Sequence, residues 1–136
     1  LVVAGGGQDA EKIRHLLKGT KIELIPNPSN REVEKLFSKC RAFVFPGIED
    51  FGITPLEAMA AGAPVIAIGA GGARETVTET TGIFFGEQTV ESLTAAILKL
   101  ERGDVKISEA SCRRRAADFS KTRFQREFLA AVDSVR

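Results

Sequence analysis

The sequence predicts an α/β fold in which one parallel sheet lies between two layers of helices. Three observations carry this expectation. Short apolar runs alternate with amphipathic stretches along the chain. The apolar runs are continuous rather than alternately polar, as strands covered on both faces require. The turns after them are glycine- or proline-rich, at Gly5-Gly6-Gly7, Pro26-Asn27-Pro28, Pro46-Gly47 and Gly69 to Gly72.

Taken in order, Leu1 to Ala4 reads as a first strand, and Ala10 to Leu17 as a helix with Ile13, Leu16 and Leu17 on one face. Ile22 to Ile25 is a second strand. Ser29 and Glu32 form a capping box, and the helix they open turns Val33, Leu36 and Phe37 inward. Ala42 to Phe45 is the third strand, and a loop follows to Ile53. Thr54 is expected to cap the next helix, with Pro55 at its first position, Glu57 closing a second capping box and Gly62 ending it. Pro64 to Ile68 and Ile83 to Phe85 read as strands, with a short helix near Arg74 to Val77 between them. Helices at Val90 to Leu100 and Ser108 to Ala117 follow. A last helix from Lys121 gathers Phe124, Phe128, Leu129 and Val132 on one stripe. Sheets of this kind bind ligands beyond the carboxyl ends of their strands. The loops 5–7, 26–28, 46–53 and 69–72 are therefore where a site is expected.

Composition narrows the function classes. The chain has 136 residues, 43% hydrophobic and 27% charged, which suits one soluble domain. Its 19 basic and 18 acidic side chains balance, which gives no basis for nucleic acid as a partner. The run Arg113-Arg114-Arg115 reads as a solvated helix face, the other reading being weak attraction to an anionic membrane surface. Two cysteines, Cys40 and Cys112, build neither a disulfide framework nor a four-ligand metal site. They read as small buried hydrophobes in a reducing compartment. The one histidine, His15, reads as a bystander, so no zinc site is expected. No apolar run reaches the roughly 20 residues of a membrane span. Because Leu1 already reads as a core strand, a fragment of a longer protein is expected.

The stretch from Phe43 to Ala67 is the most informative. A strand ends, a loop carries Glu49, and a helix begins near Thr54. Free amides of Gly52, Ile53 and the following turn, with the helix dipole, suit an anion such as a diphosphate. Gly52 lets a ligand approach the backbone closely. A carboxylate at Glu57 can accept two hydrogen bonds from a ribose diol, and Glu49 can reach sugar hydroxyls. The residues equally allow Glu57 to be a helix cap, and Glu49 with Asp50 a solvated acidic corner.

The same stretch resembles the retaining glycosyltransferases of family 4, also called group 1, two-domain enzymes of the GT-B fold. Glu49 and Glu57 are separated by seven residues, as in that family. Phe51-Gly52, Glu57-Ala58-Met59 and Gly62-Ala63-Pro64-Val65 match its surroundings. Leu1 to Gly7, Gly71 to Val77 and Phe119-Ser120 resemble further family segments, and Phe45 to Pro55 is most similar to bacterial mannosyltransferases of polysaccharide assembly.

The resemblance implies a Rossmann-like three-layer domain, the C-terminal half of a GT-B fold, with its first strand–helix unit and its N-terminal acceptor domain missing. It implies a nucleotide-sugar-binding domain over residues 1–136, with a nucleotide-diphosphate sugar, GDP-mannose favoured, as donor. The sugar would pass with retention to a glycan or lipid-linked acceptor, without metal or other cofactor, in the cytoplasm and in peripheral contact with the inner membrane surface. Glu57 would bind the ribose. Glu49, the catalytic position, would hold sugar hydroxyls and orient the anomeric carbon. The amides of Phe51, Gly52 and Ile53 would contact sugar and phosphate, and Pro26 and Asn27 would lie near the base. Gly5, Gly6, Gly7, Gly71 and Gly72 would line the cleft, or else serve only as tight turns. The Arg and Lys that clamp the diphosphate in the family would precede residue 1.

Two departures stand out. The family has glycine where this chain has Pro26 or Asn27, and the segment Thr78 to Gly82 is short. Three other functions compete: a binding module that catalyses nothing, a flavodoxin-like scaffold without a sugar site, and a sugar-nucleotide epimerase. The epimerase lacks acid/base groups here, since His15 is the only histidine.

Overall fold

The computed structural model describes residues 1–135 and is α/β with parallel strands throughout. Its contacts divide it into two compact units, Leu1–Leu36 and Phe37–Arg136. The strands correspondingly form two ladders rather than one continuous sheet.

In the first unit, β1 (Val2–Ala4) pairs in parallel with β2 (Glu23–Ile25), Val3 opposite Leu24, across α1 (Ala10–Leu16). These strands are not covered on both faces as expected: Leu1 is 77% exposed and Val2 41%. Two short strands and short helices supply too little apolar surface to enclose a ladder. In α1, Ile13 and Leu17 turn inward, whereas Leu16 is exposed. Ile13 and Leu17 sit one turn apart, and Leu16 lies a quarter-turn off their line. The capping box holds as read. The Ser29 amide and hydroxyl both donate to Glu32 Oε2, at 2.8 and 2.6 Å, and start α2 (Asn30–Phe37). These bonds to the Ser29 hydroxyl and amide hold the Glu32 carboxyl below its ordinary range.

In the second unit, β3 (Phe43–Phe45), β4 (Val65–Ile68) and β5 (Gly82–Phe85) lie side by side in that order. β4 is buried along its whole length, as the apolar run predicted. Ile66, Ile68, Ile83 and Phe85 pack against α5 (Val90–Arg102) through Ala96, Leu93 and Ile97. The alternate residues Val65 and Ala67 point to the opposite face, where α3 (Ile53–Ala61) packs on β3 and β4. α6 (Glu109–Ala117) covers α3, close because Ala58 and Met59 are fully buried with Cys112. Thus a sheet between helical layers is realised within this unit.

Of the two cysteines, Cys112 is buried and Cys40 half-buried, and burial pushes both thiols up. The short segment before β5 closes as a threonine turn: the Thr78 amide donates to Thr81 Oγ1 at 2.9 Å and the Gly82 amide to the Thr78 carbonyl at 2.9 Å. The apolar stripe of α7 (Lys121–Ser134) forms, but Phe124, Phe128 and Leu129 stay exposed, with the Phe124 and Phe128 rings stacked at 5.6 Å. Among the described residues no helix is long and apolar enough to cross a membrane.

Candidate donor site

The start of α3 differs from its expected form, and the difference matters. The cap is Gly52, in the left-handed conformation at φ 79, and no side chain caps the helix. The helix therefore begins at Ile53, so Thr54 is not its cap and Glu57 closes no capping box. Two local features fit this start. Gly52 reaches a positive φ without steric cost, and Pro55 in the first turn lacks only an N–H that would have had no partner there.

Two consequences follow for chemistry. The amides of Gly52, Ile53 and Thr54 donate to no group among the described residues, so they point from the positive end of a nine-residue helix without an acceptor. Second, Glu57 is exposed and its carboxylate has no hydrogen-bond or ion-pair partner among the described residues, and the same holds for the Glu49 carboxylate. The helix-cap role for Glu57 is thereby excluded. A helix start with unused donors, preceded and followed in sequence by an unpaired carboxylate, has the groups to accept a ligand that is anionic in its middle and rich in hydroxyls at its ends.

The loop carrying Glu49 is held by its neighbours. The Gly72 amide donates to the Glu49 carbonyl at 2.8 Å. A methyl group on Gly72 would lie 2.6 Å from Phe51 Cα, and one on Gly71 would lie 2.5 Å from the Glu49 carbonyl oxygen. These two glycines thus let the 69–72 turn pack directly on the 48–51 loop, a role beyond tight turning. Gln88 Nε2 donates to the Pro46 carbonyl at 2.8 Å, and the Phe51 ring meets Phe119 edge-on with centroids 6.0 Å apart. Phe51 and Ile53 are themselves exposed, at 50% and 64%.

The remaining expected site residues belong to the first unit. Gly5, Gly6 and Gly7 line a cavity of about 310 Å³ with Gln8 and Asp9. Gly6 abuts the Asn27 side chain so closely that no Cβ would fit between them. Asn27 takes the left-handed conformation, φ 49, which asparagine tolerates more readily than most residues. Pro26 is exposed beside it.

Two of the three arginines of the run also make contacts that the sequence did not reveal. Arg113 donates to the Ala61 carbonyl at 2.9 Å and pairs with Glu109 at 3.0 Å. Arg115 donates to the Thr76 carbonyl at 3.0 Å and to the Glu75 carbonyl. Both satisfy carbonyls at the ends of α3 and α4 (Ala73–Thr76), which have no intrahelical donors. Arg113 and Arg114 stay exposed, as a solvated face predicts, while Arg115 is half-buried. The sequence reading also missed Gln88, whose partner is 42 positions away. No local signal marks such a contact.

The chain is 34% identical over 113 residues to the alpha-1,3/1,6-mannosyltransferase ALG2 of Dictyostelium discoideum, covering 74% of this chain and 27% of that protein. It is 45% identical over 53 residues to a GDP-mannose-dependent phosphatidylinositol monomannoside mannosyltransferase of Corynebacterium glutamicum, covering 39% of this chain and 14% of that protein. Its fold superposes on the apo lipopolysaccharide outer core galactosyltransferase WaaB with a TM-score of 0.84 at 20% identity, covering 100% of this chain and 41% of that one. It superposes on Anabaena HepE in complex with UDP-glucose with a TM-score of 0.76 at 21% identity, covering 98% and 40%. The chain thus spans about a quarter of the ALG2 relative and two fifths of these GT-B structures. Residues 1–119 match the family described as glycosyl transferases group 1, and the chain belongs to that family.

Proposed function

We propose that this chain is the donor-binding domain of a hexosyltransferase that takes its sugar from a nucleotide diphosphate, with GDP-mannose the favoured donor. The observation that carries the reading is the α3 start, where the amides of Gly52, Ile53 and Thr54 have no acceptor among the described residues and fall in sequence between two unpaired, exposed carboxylates, Glu49 and Glu57. Ile53 to Thr54 would receive the diphosphate, Glu57 the ribose diol, and Glu49 the hydroxyls of the sugar. Phe51 and Gly52 would contribute backbone contacts to sugar and phosphate, with Gly71 and Gly72 supporting the loop from behind. Gly5 to Gly7, Pro26 and Asn27 belong to the first unit, and a place for them beside the donor is implied by the family resemblance alone. The mannosyltransferase relatives support mannose as the sugar.

In this reading transfer proceeds with retention and without a metal. The oriented amides stabilise the charge that develops on the departing nucleoside diphosphate, and the enzyme otherwise acts by placing donor and acceptor together. The acceptor is a glycan or lipid-linked sugar, met at the cytoplasmic face of a membrane. Turnover requires the rest of the protein, whereas donor binding belongs to this chain.

Titration of the chain with GDP and GDP-mannose tests the assignment. Glu57→Gln weakens both ligands, because both carry the ribose. Glu49→Gln spares GDP and lowers the preference for GDP-mannose. Equal losses for the two ligands in both variants would refute the two roles, and failure of the unaltered chain to bind either ligand would refute the site.

A further inference from the structure

The loop from Pro46 to Gly52 is fixed at its start by Gln88 and in its middle by the Gly72 amide. Its Phe51 end has no hydrogen bond of its own, and Phe51 is half-exposed, so burial alone does not hold that end. The Phe51 backbone packs on Gly72, and its ring meets the Phe119 ring edge-on, with an interplanar angle of 71°. Phe119 in turn lies under the Arg115 guanidinium, 4.8 Å from ring centroid to Cζ. The same guanidinium donates to the Thr76 and Glu75 carbonyls and to Asp118 at 3.3 Å. Those carbonyls close α4, and Gly72, the residue that caps α4 at its start, holds Glu49 through its amide.

One side chain thus joins both supports of the loop. We infer that Arg115 is a positioning residue for the donor loop, holding the Phe51–Gly52 end through Phe119 and the Glu49 segment through α4. The inference rests on the donor-site reading above. Arginine suits the task because its planar fork donates several bonds and stacks on an aromatic ring at once, which an ammonium does not. The side chain is 27% exposed, so these contacts are partly shielded from water.

Three variants of the full chain, Arg115→Ala, Arg115→Lys and Phe119→Leu, test the inference with two readouts. The first is structural: the NOE between the Phe51 and Phe119 rings, and hydrogen exchange at the Gly72 and Thr76 amides, with the Val65 amide of β4 as control. The second is affinity for GDP-mannose. In Arg115→Ala the ring NOE disappears, Gly72 and Thr76 exchange faster while Val65 does not, and GDP-mannose binds about tenfold more weakly, a part of what one charge-assisted bond and one cation–π contact together contribute to holding the loop. Phe119→Leu loses affinity comparably but leaves Thr76 protected. Arg115→Lys recovers less than half of the lost affinity. Full recovery by lysine overturns the inference, because charge alone would then explain the effect. So does an unchanged affinity in Arg115→Ala and Phe119→Leu, or an exchange increase that is equal at Val65. If the unaltered chain binds no GDP-mannose, the donor-site reading fails, and the NOE and exchange pattern alone decide whether Arg115 holds the loop.

Discussion

Gly72→Ala probes how tightly the donor loop is packed. Gly72 has an ordinary helical φ of −62, so alanine meets no backbone strain there, and only space is at issue. The added methyl would lie 2.6 Å from Phe51 Cα and 2.7 Å from the Asp50 carbonyl carbon, with the Asp50 oxygen closer still. All three are backbone atoms, so no side chain can swing away, and the 48–52 loop must move as a body. That movement breaks the Gly72 to Glu49 hydrogen bond of 2.8 Å. Overpacking of this kind costs about 1–3 kcal/mol and the lost bond about 0.5–1.5 kcal/mol, roughly 2–4 kcal/mol together. For a domain of this size the melting temperature should fall by about 8–16 °C. The assay is thermal unfolding beside Gly86→Ala, where the methyl would meet nothing within 4 Å, and where a change within about 0.5 kcal/mol is expected. If Gly72→Ala is no more destabilising than Gly86→Ala, the close packing of the two loops is wrong.

Other expectations test separate parts of the molecule. Met59 is fully buried between the sheet and α6, so Met59→Ala should cost about 2–5 kcal/mol in urea denaturation. Ser29→Ala removes the α2 cap and should lower stability by about 1 kcal/mol, read from amide exchange along α2. Glu32 has a folded pKa below its ordinary 4.5. Its cap is therefore complete above that value and is lost as the pH falls through the lower folded pKa, and Glu32→Gln should abolish this dependence of α2 exchange. Cys112 is buried with its thiol pushed up, so a disulfide reagent should modify half-buried Cys40 first and reach Cys112 only on unfolding.

Much of the architecture was legible because it rests on contacts between near neighbours in sequence. The Ser29–Glu32 box, the closing glycine at Gly62 and the apolar run of β4 all follow from interactions within a few residues, and each appears where the sequence placed it. The spacing of Glu49 and Glu57 was equally visible. What those glutamates do was not. Thr54, Pro55 and Glu57 make a plausible capping box, and sequence alone does not distinguish it from a helix started by Gly52 in the left-handed conformation. Only the folded backbone made that choice, and it left Glu57 unpaired.

The same division explains the arginines. A run of three basic residues on a helix reads as solvated, which holds for Arg114, but placing the helix against others gives Arg113 and Arg115 further partners. α6 packs on α3, which brings Arg113 to the Ala61 carbonyl, and Arg115 finds the end of α4. The sequence by itself determined the helices, the parallel strands and the family motif, because capping, periodicity and turn chemistry act over one helical turn or one strand. Tertiary structure decided which strands joined into a ladder, which charges became internal supports and which amides stayed free. Those outcomes depend on groups 30 to 50 residues apart, such as Gln88 with Pro46 and Arg115 with Thr76, that meet only after the chain has folded.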